Sequence, residues 1–222
     1  MHTEPTGRQA AFFRAEGVLV SRPAHLAAAW LAANAQHLGQ RAARLGAVAL
    51  AAPLSLGLGD SSVGHRVAWS ALRGMSADRI AVLGEEYAAT QLLDRLRPAG
   101  VDLLERSRRD GCTIVLISDL IDEIVAPVGA MLRADHVVCN HLEYRNRRAT
   151  GRLMDPIATR FGGGTLRAFA DDHGLDLSAS RAYGAFASDQ VLLASVRLPC
   201  AVSPDRGLRR IALDLDWPVV ER

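Results

Sequence analysis

The side chains that most often carry catalysis or bind metals are scattered along this sequence. Cys112, Cys139 and Cys200 lie far apart and form no Cys-x-x-Cys pair, so we expect neither a disulfide framework nor a zinc site. Four of the seven histidines are equally dispersed and lack metal-ligand spacing: His25, His65, His136 and His141. No Gly-x-Ser-x-Gly nucleophile motif occurs. Widely spaced free thiols fit the reducing cytoplasm, which is the expected location.

Lysine is missing from the sequence altogether. All 26 basic side chains are arginine. Chemistry that needs a lysine amine is therefore excluded, including Schiff-base and pyridoxal-phosphate catalysis and the P-loop of nucleotide hydrolases. Coding bias explains the absence in a chain this rich in alanine, leucine and glycine, but the chemical consequence holds whatever the cause.

Length and charge narrow the class of protein further. The 222 residues suit one domain, or one domain with an insert, and a net charge of +2 argues against a nucleic-acid partner. The uncharged run 45–59 is too short to span a bilayer and is interrupted by Pro53. We interpret it as two buried helical pieces, with contact to a membrane surface or a partner as the alternative, and we expect no transmembrane segment.

The first hundred residues predict one strand followed by helices. The apolar run 10–13 is typical of a buried strand that ends in a loop at Gly17. From residue 21 to 95, alanine, leucine and tryptophan recur at helical spacing, and Ser76 is a candidate helix N-cap.

Beyond residue 96 the apolar pattern alternates between strands and helices. Short strands are predicted at 113–117, 136–139, 181–184, 200–202 and 218–220. Alternation of this kind predicts an α/β fold, a Rossmann-like parallel sheet with helices on both faces. Residues 1–20 and 96–222 would form this core, and residues 21–95 would be a helical cap inserted after the first strand.

Three short motifs follow one another along the chain. Residues 12–20 read FFRAEGVLV, residues 115–118 read VLIS and residues 183–189 read YGAFASD. Their order and spacing resemble the haloacid dehalogenase superfamily and its phosphoserine-phosphatase-like branch, which carries a helical cap. The first motif of that family is an apolar strand ending in Asp-x-Asp-Gly-Thr-Leu, the second is a strand ending in Ser or Thr, and the fourth is Tyr-Gly-Asp-Ser-x-x-Asp. The resemblance covers nearly the whole chain and implies the same fold.

The resemblance also implies which catalytic groups this chain lacks. In the family the first Asp of the opening motif attacks phosphorus, and the second, two residues on, transfers protons. Those positions hold Arg14 and Glu16, and the threonine position holds Val18. A guanidinium stays protonated and offers no nucleophilic lone pair. Glu16 keeps a carboxyl group but has no nucleophile beside it to assist.

The positions of the groups that neutralise the phosphate charge and bind the metal in the family are altered as well. The place of the third-motif lysine falls on Gly162, with Arg160 nearby as a partial substitute. The magnesium-binding Asp of the fourth motif is replaced by Ala185. We therefore expect no metal, no other cofactor and no confident catalytic residue, although the family implies Mg²⁺. The degenerate or retained motif positions are Arg14, Glu16, Val18, Ser118, Gly162, Ala185 and Asp189.

Two hypotheses describe the altered site. In the first, Arg14 forms a buried ion-paired cluster with Glu16 and Asp189 in place of the carboxylate–magnesium cluster; the opposing interpretation is that Arg14 points into solvent in an open cleft. In the second, Arg14 and Ser118, with Arg160, hold an anion without hydrolysing it, because guanidinium suits phosphate and carboxylate recognition.

The function predicted from these substitutions is that of a pseudoenzyme. Loss of nucleophile, metal carboxylate and lysine together removes most of what phosphoryl transfer needs. The expected role is binding, regulation or scaffolding, with an unidentified protein partner or a phosphate-bearing ligand. The alternative is a phosphohydrolase with rearranged catalytic groups that uses Glu16 and Asp189.

Overall fold

The computed structural model describes residues 7–21, 24–34, 68–154 and 161–221, together with residues 46 and 49. The strands in this part of the chain are β1 Ala10–Arg14, β2 Thr113–Ile121, β3 His136–Arg145, β4 Arg148–Met154, β5 Arg181–Gly184, β6 Leu198–Val202 and β7 Val219–Val220. The α-helices are α1 Ala24–Ala33, α2 Ala77–Tyr87, α3 Pro98–Arg109, α4 Asp122–Met131, α5 Gly163–Asp172, α6 Gln190–Ala194 and α7 Arg206–Asp214. None of the helices described is long and apolar enough to cross a membrane.

The seven strands form one sheet in the order β4-β3-β2-β1-β5-β6-β7. All neighbouring pairs from β3 to β7 are parallel, and β1 lies in the centre between β2 and β5. Arg14 at the end of β1 is paired with Ile117 of β2. This register brings the residues after β1 next to Ser118 and places both at the carboxyl edge of the sheet. The α/β fold expected from the sequence is therefore confirmed.

Burial of β1 on both faces explains why its first four residues, Ala10 to Phe13, are all apolar. All five of its residues are buried, which is the pattern of a central strand in a helix-covered parallel sheet. Successive side chains point to opposite faces. Ala11 and Phe13 pack into one apolar cluster, whereas Ala10 and Phe12 pack into a second on the other face.

Helices between residues 24 and 95 pack onto the first of these clusters. Ser76 caps α2 as expected, since its side chain accepts a hydrogen bond from the Arg79 N–H. Ile80 and Leu83 of α2 are buried in the same cluster as Phe13. The boundaries of the inserted cap at 21–95 stay a prediction, because residues 35–67 are almost entirely outside the described part. The apolar run 45–59 falls in that range, apart from Gly46 and Ala49.

An antiparallel hairpin at one edge of the sheet differs from the expected short strand at 136–139. Strand β3 continues to Arg145, and β4 returns along it, with Leu142 paired to Leu153. The turn between the strands places Asn146 and Arg147 at positive φ, and polar turn residues there permit the reversal. Strand β4 contains Arg148, Gly151 and Arg152 and has no clear apolar alternation, so the sequence pattern did not predict it.

Candidate active site

The segment that follows β1 holds Glu16 and Gly17 in a tight turn. Residues Ala15–Leu19 form a five-residue turn closed by a hydrogen bond from the Val20 N–H to the Ala15 carbonyl. Gly17 has a φ of 85°, a conformation that glycine adopts without steric cost. Glu16 keeps an extended conformation (φ −71°, ψ 127°), so its carboxyl group lies on the same side of the chain as the Arg14 guanidinium.

Arg14 lies among three carboxyl groups and is only 3% exposed. Its Nη2 is 2.6 Å from Oδ2 of Asp119 and 3.6 Å from Oε2 of Glu16. Its Nε is 3.0 Å from Oδ1 of Asp189. The geometry agrees with the buried ion-paired cluster, and the interpretation that Arg14 points into solvent is wrong. Burial lowers the pKa of Arg14, but the surrounding carboxylates outweigh it and raise that pKa overall.

Glu16 is anchored by the end of β2. Ser118 Oγ donates a hydrogen bond to Glu16 Oε1 at 2.6 Å, and the Asp119 N–H is 3.2 Å from both carboxyl oxygens. Burial raises the pKa of Glu16 to about 7, with a further increase from Asp119, although Arg14 opposes the shift. A carboxyl group with such a pKa exchanges its proton near neutral pH.

Asp189 is held by backbone donors at the end of β5. Its Oδ2 accepts hydrogen bonds from the N–H groups of Ala185 at 2.8 Å and Phe186 at 2.9 Å, while Oδ1 faces Arg14. Burial raises the pKa of Asp189, against the opposing effects of Arg14 and the two N–H donors. Asp189, the retained Asp of the fourth motif, therefore holds the backbone of Ala185 and Phe186 and also pairs with the Arg14 guanidinium.

Asp119 is the member of the cluster that sequence reasoning missed. In a regular strand, Ser118 and Asp119 would point to opposite faces of the sheet. The pairing of β2 with β3 shifts register between Ile117 and Ile121, and this irregularity lets both neighbours reach the same site. The Asn140 side chain also donates to the Asp119 carbonyl at 2.7 Å. A carboxylate next to the second-motif serine was the only sequence signal.

Ala185 and Phe186 close one side of the cluster over Gly17. A Cβ atom built on Gly17 would lie 2.5 Å from the Ala185 Cβ and 2.8 Å from a ring carbon of Phe186. The Arg97 side chain donates to the Gly17 carbonyl from the other side. The position to which the resemblance assigns a magnesium-binding carboxylate therefore carries a buried methyl group next to Gly17.

The remaining motif positions are placed as follows. Val18 is fully buried in the apolar cluster that contains Phe13. Gly162 precedes α5 and packs on α6, where an added Cβ would lie 2.7 Å from a Val191 methyl group. A side chain at Gly162 would therefore require Val191 to move, and it would crowd the Leu192 backbone nitrogen at 3.0 Å. Arg160 lies outside the described residues.

The donor set does not fit Mg²⁺. The ion prefers oxygen ligands in octahedral geometry. The centre between the Glu16, Asp119 and Asp189 carboxyl groups is taken by the Arg14 guanidinium, which supplies only N–H donors. In the parts of the chain that the structure describes, no group of three or more His, Cys, Asp or Glu is arranged to hold a metal.

Comparison with known sequences gives the family. A model described as haloacid dehalogenase-like hydrolase matches residues 20–194. A Streptomyces azureus protein named "Inhibition of morphological differentiation protein" is 34% identical over 142 residues, which are 62% of this chain and 51% of that protein. Phosphoserine phosphatase SerB2 of Mycobacterium tuberculosis is 30% identical over 118 residues, 53% of this chain and 29% of that protein. The chain thus spans about half the length, or less, of these curated relatives.

Solved structures show the same fold. A protein with unknown function from Bordetella pertussis Tohama I superposes with a TM-score of 0.80 at 23% identity, covering 97% of this chain and 99% of the other. A substrate-bound phosphoserine phosphatase superposes with a TM-score of 0.68 at 16% identity, covering 97% and 93%. The family model, which matches most of the chain, shows that this chain belongs to the haloacid dehalogenase-like hydrolases.

Proposed function

We propose that this chain is a catalytically inactive member of its family and acts as a binding, regulatory or scaffold module. The observation that carries the proposal is Arg14, whose buried guanidinium stands at the nucleophile position and contacts three carboxyl groups. Attack on phosphorus needs a lone pair at that position, and a guanidinium with a raised pKa offers none.

Electrostatics supports the same proposal. The cluster sets one positive charge against three carboxyl groups, so its net charge is negative when these are ionised. A phosphate monoester brought there would face repulsion without a metal or lysine to offset it. The donors proposed for anion binding are already engaged, since Arg14 donates to Asp119 and Ser118 donates to Glu16. An anion would have to displace these carboxylates, so we place the binding function elsewhere on the molecule.

Two observations favour the alternative, a phosphohydrolase with rearranged catalytic groups. Glu16 has a pKa of about 7, which suits a general acid or base at neutral pH. Two relatives from Mycobacterium tuberculosis also have the word phosphatase in their names. Proton transfer alone contributes far less to phosphoryl transfer than the positioned nucleophile and cation do. This alternative therefore requires a water molecule to replace the missing nucleophile.

A phosphate-release assay separates the two functions. Purified protein is incubated with Mg²⁺ and either p-nitrophenyl phosphate or phosphoserine, next to the variants Glu16→Gln and Asp189→Asn. We expect no phosphate release above that of the variants. Mg²⁺-dependent release that is lost in Glu16→Gln, with the variant's thermal unfolding still cooperative, would establish the phosphohydrolase instead.

A further inference from the structure

A cavity of about 720 Å³ lies near the amino-terminal ends of β5, β6 and β7. The Arg14 cluster lies at the opposite edge of the sheet. Along β5, Arg181 at the start of the strand lines the cavity, whereas Ala185, just past its end, donates to Asp189. With a rise of about 3.3 Å per residue, these two points are roughly 13 Å apart along the strand. The cavity is therefore a separate site.

Apolar and aromatic side chains form most of its wall. Leu103 of α3, Tyr183 of β5 and Leu198 of β6 line it, together with Trp217 from the segment before β7. Leu198 is 49% exposed, which is unusual for a large apolar residue of a sheet. Sites for small organic molecules are typically concave, of this volume, and lined by apolar and aromatic groups with a few polar ones. The wall thus suits a flat or branched hydrocarbon body.

The polar groups of the wall are mainly cationic. Three arginines line the cavity, Arg106, Arg181 and Arg197, against a single acid, Asp216. Arg181 is engaged by Asp110, whose Oδ2 lies 2.7 Å from its Nη1. Neither Arg106 nor Arg197 forms an ion pair with any residue that the structure describes. Two guanidinium groups therefore remain available next to an apolar wall.

We propose that this cavity binds a small organic anion, with its apolar body against Trp217 and its carboxylate or phosphate oxygens held by Arg106 and Arg197. Guanidinium groups bind such oxygens through charge-assisted hydrogen bonds, and the adjoining apolar surface strengthens them by excluding water. The proposal does not depend on the loss of catalysis, because none of the groups of the Arg14 cluster lines this cavity.

The test measures binding of 2-naphthoate by isothermal titration calorimetry. The neutral 2-naphthylmethanol offers the same body without the charge, and acetate offers the charge without the body. We expect 2-naphthoate to bind the wild-type protein and each of the two controls to bind at least about tenfold more weakly, since a hydrogen bond to a charged group and ring burial each contribute that much.

Variants assign the binding to this cavity. The double substitution Arg106→Gln and Arg197→Gln, at two exposed positions, should weaken 2-naphthoate binding at least about tenfold. Arg147→Gln is the matched control, because Arg147 lies in the β3–β4 turn at the other end of the sheet order. The proposal is overturned if 2-naphthoate fails to bind at millimolar concentration, if the alcohol binds equally well, or if the double variant binds like the control.

Discussion

Arg14 and Asp119 are 105 positions apart in the chain and form the shortest ion pair of the buried cluster, with 2.6 Å between Nη2 and Oδ2. The pair joins the carboxyl-terminal parts of β1 and β2, which carry the first and second motifs. A cation supplied by the chain itself occupies the centre of the carboxyl groups. The site is therefore a structural ion-pair network. Its contribution to the free energy of unfolding can be measured with variants of its residues.

Removal of the Arg14 side chain should destabilise the protein strongly. Arg14→Ala leaves Glu16, Asp119 and Asp189 facing each other without a cation, and breaking a buried pair in this way costs about 3–5 kcal/mol. Urea unfolding should show this as a lower midpoint. The matched control is Arg147→Ala, which removes an ion pair to Asp78 in which both side chains are about three-quarters exposed. Equal midpoints for the two variants would contradict the role assigned to Arg14.

Magnesium should affect this variant but not the wild-type protein. In Arg14→Ala the three carboxyl groups form an oxygen-rich site without the guanidinium, and a divalent cation that binds only the folded state raises its stability. We expect millimolar Mg²⁺ to raise the melting temperature of Arg14→Ala by several degrees and to leave that of the wild type unchanged. A wild-type shift as large as that of the variant would show that Arg14 does not exclude the ion.

Stability should depend on pH through Glu16. The pKa of Glu16 is about 7 in the folded state against an ordinary value of 4.5, so the folded chain binds the proton more tightly. This contribution is fully present below about pH 4.5 and is lost as pH rises through about 7. The free energy of unfolding should therefore fall in this window, by up to about 1.4 kcal/mol per pH unit for one proton.

The comparison that isolates this effect is the wild type against Glu16→Gln. Glu123 has a pKa raised to about 7 as well, mainly by burial, so both proteins keep that part of the slope. The difference in unfolding free energy between them, measured by urea titration from pH 4.5 to 8, should decrease as pH rises. A difference that is constant with pH would show that Glu16 titrates in its ordinary range.

Gly17 should tolerate no side chain, because the turn it forms is both left-handed and crowded. Gly17→Ala places a Cβ within 2.5 Å of the Ala185 methyl group, in addition to a φ of +85°. Gly111→Ala is the matched control, with a φ of +79° and no atom within 4 Å of an added Cβ. Both variants carry the conformational cost of about 1 kcal/mol, and overpacking adds about 1–3 kcal/mol for Gly17 alone. Thermal unfolding should show a larger loss of stability for Gly17→Ala than for Gly111→Ala. Equal losses of stability would indicate open space around Gly17.

The sequence by itself determined the order of strands and helices in the core, apart from the β3–β4 hairpin, and the residue types at the motif positions. Strand β1 was predictable because residues 10–13 form the apolar run that is typical of a strand buried on both faces. The family resemblance then assigned Arg14 and Ala185 to positions that carry carboxylates in the family. Because the sequence contains no lysine, no alignment can place one at the third motif. These inferences depend on local pattern and residue chemistry, which the chain carries without its fold.

Only the tertiary structure decided how the altered site is built. Asp119 enters the cluster because β2 loses its regular pairing with β3 between Ile117 and Ile121, and no alternation rule expresses such an irregularity. The buried hydrogen bonds from Arg14 to Asp119 and from Ser118 to Glu16 likewise join residues that are more than a hundred positions apart. Contacts of this range are set by strand register and packing across the sheet, since a single residue's type permits many partners and the fold selects one.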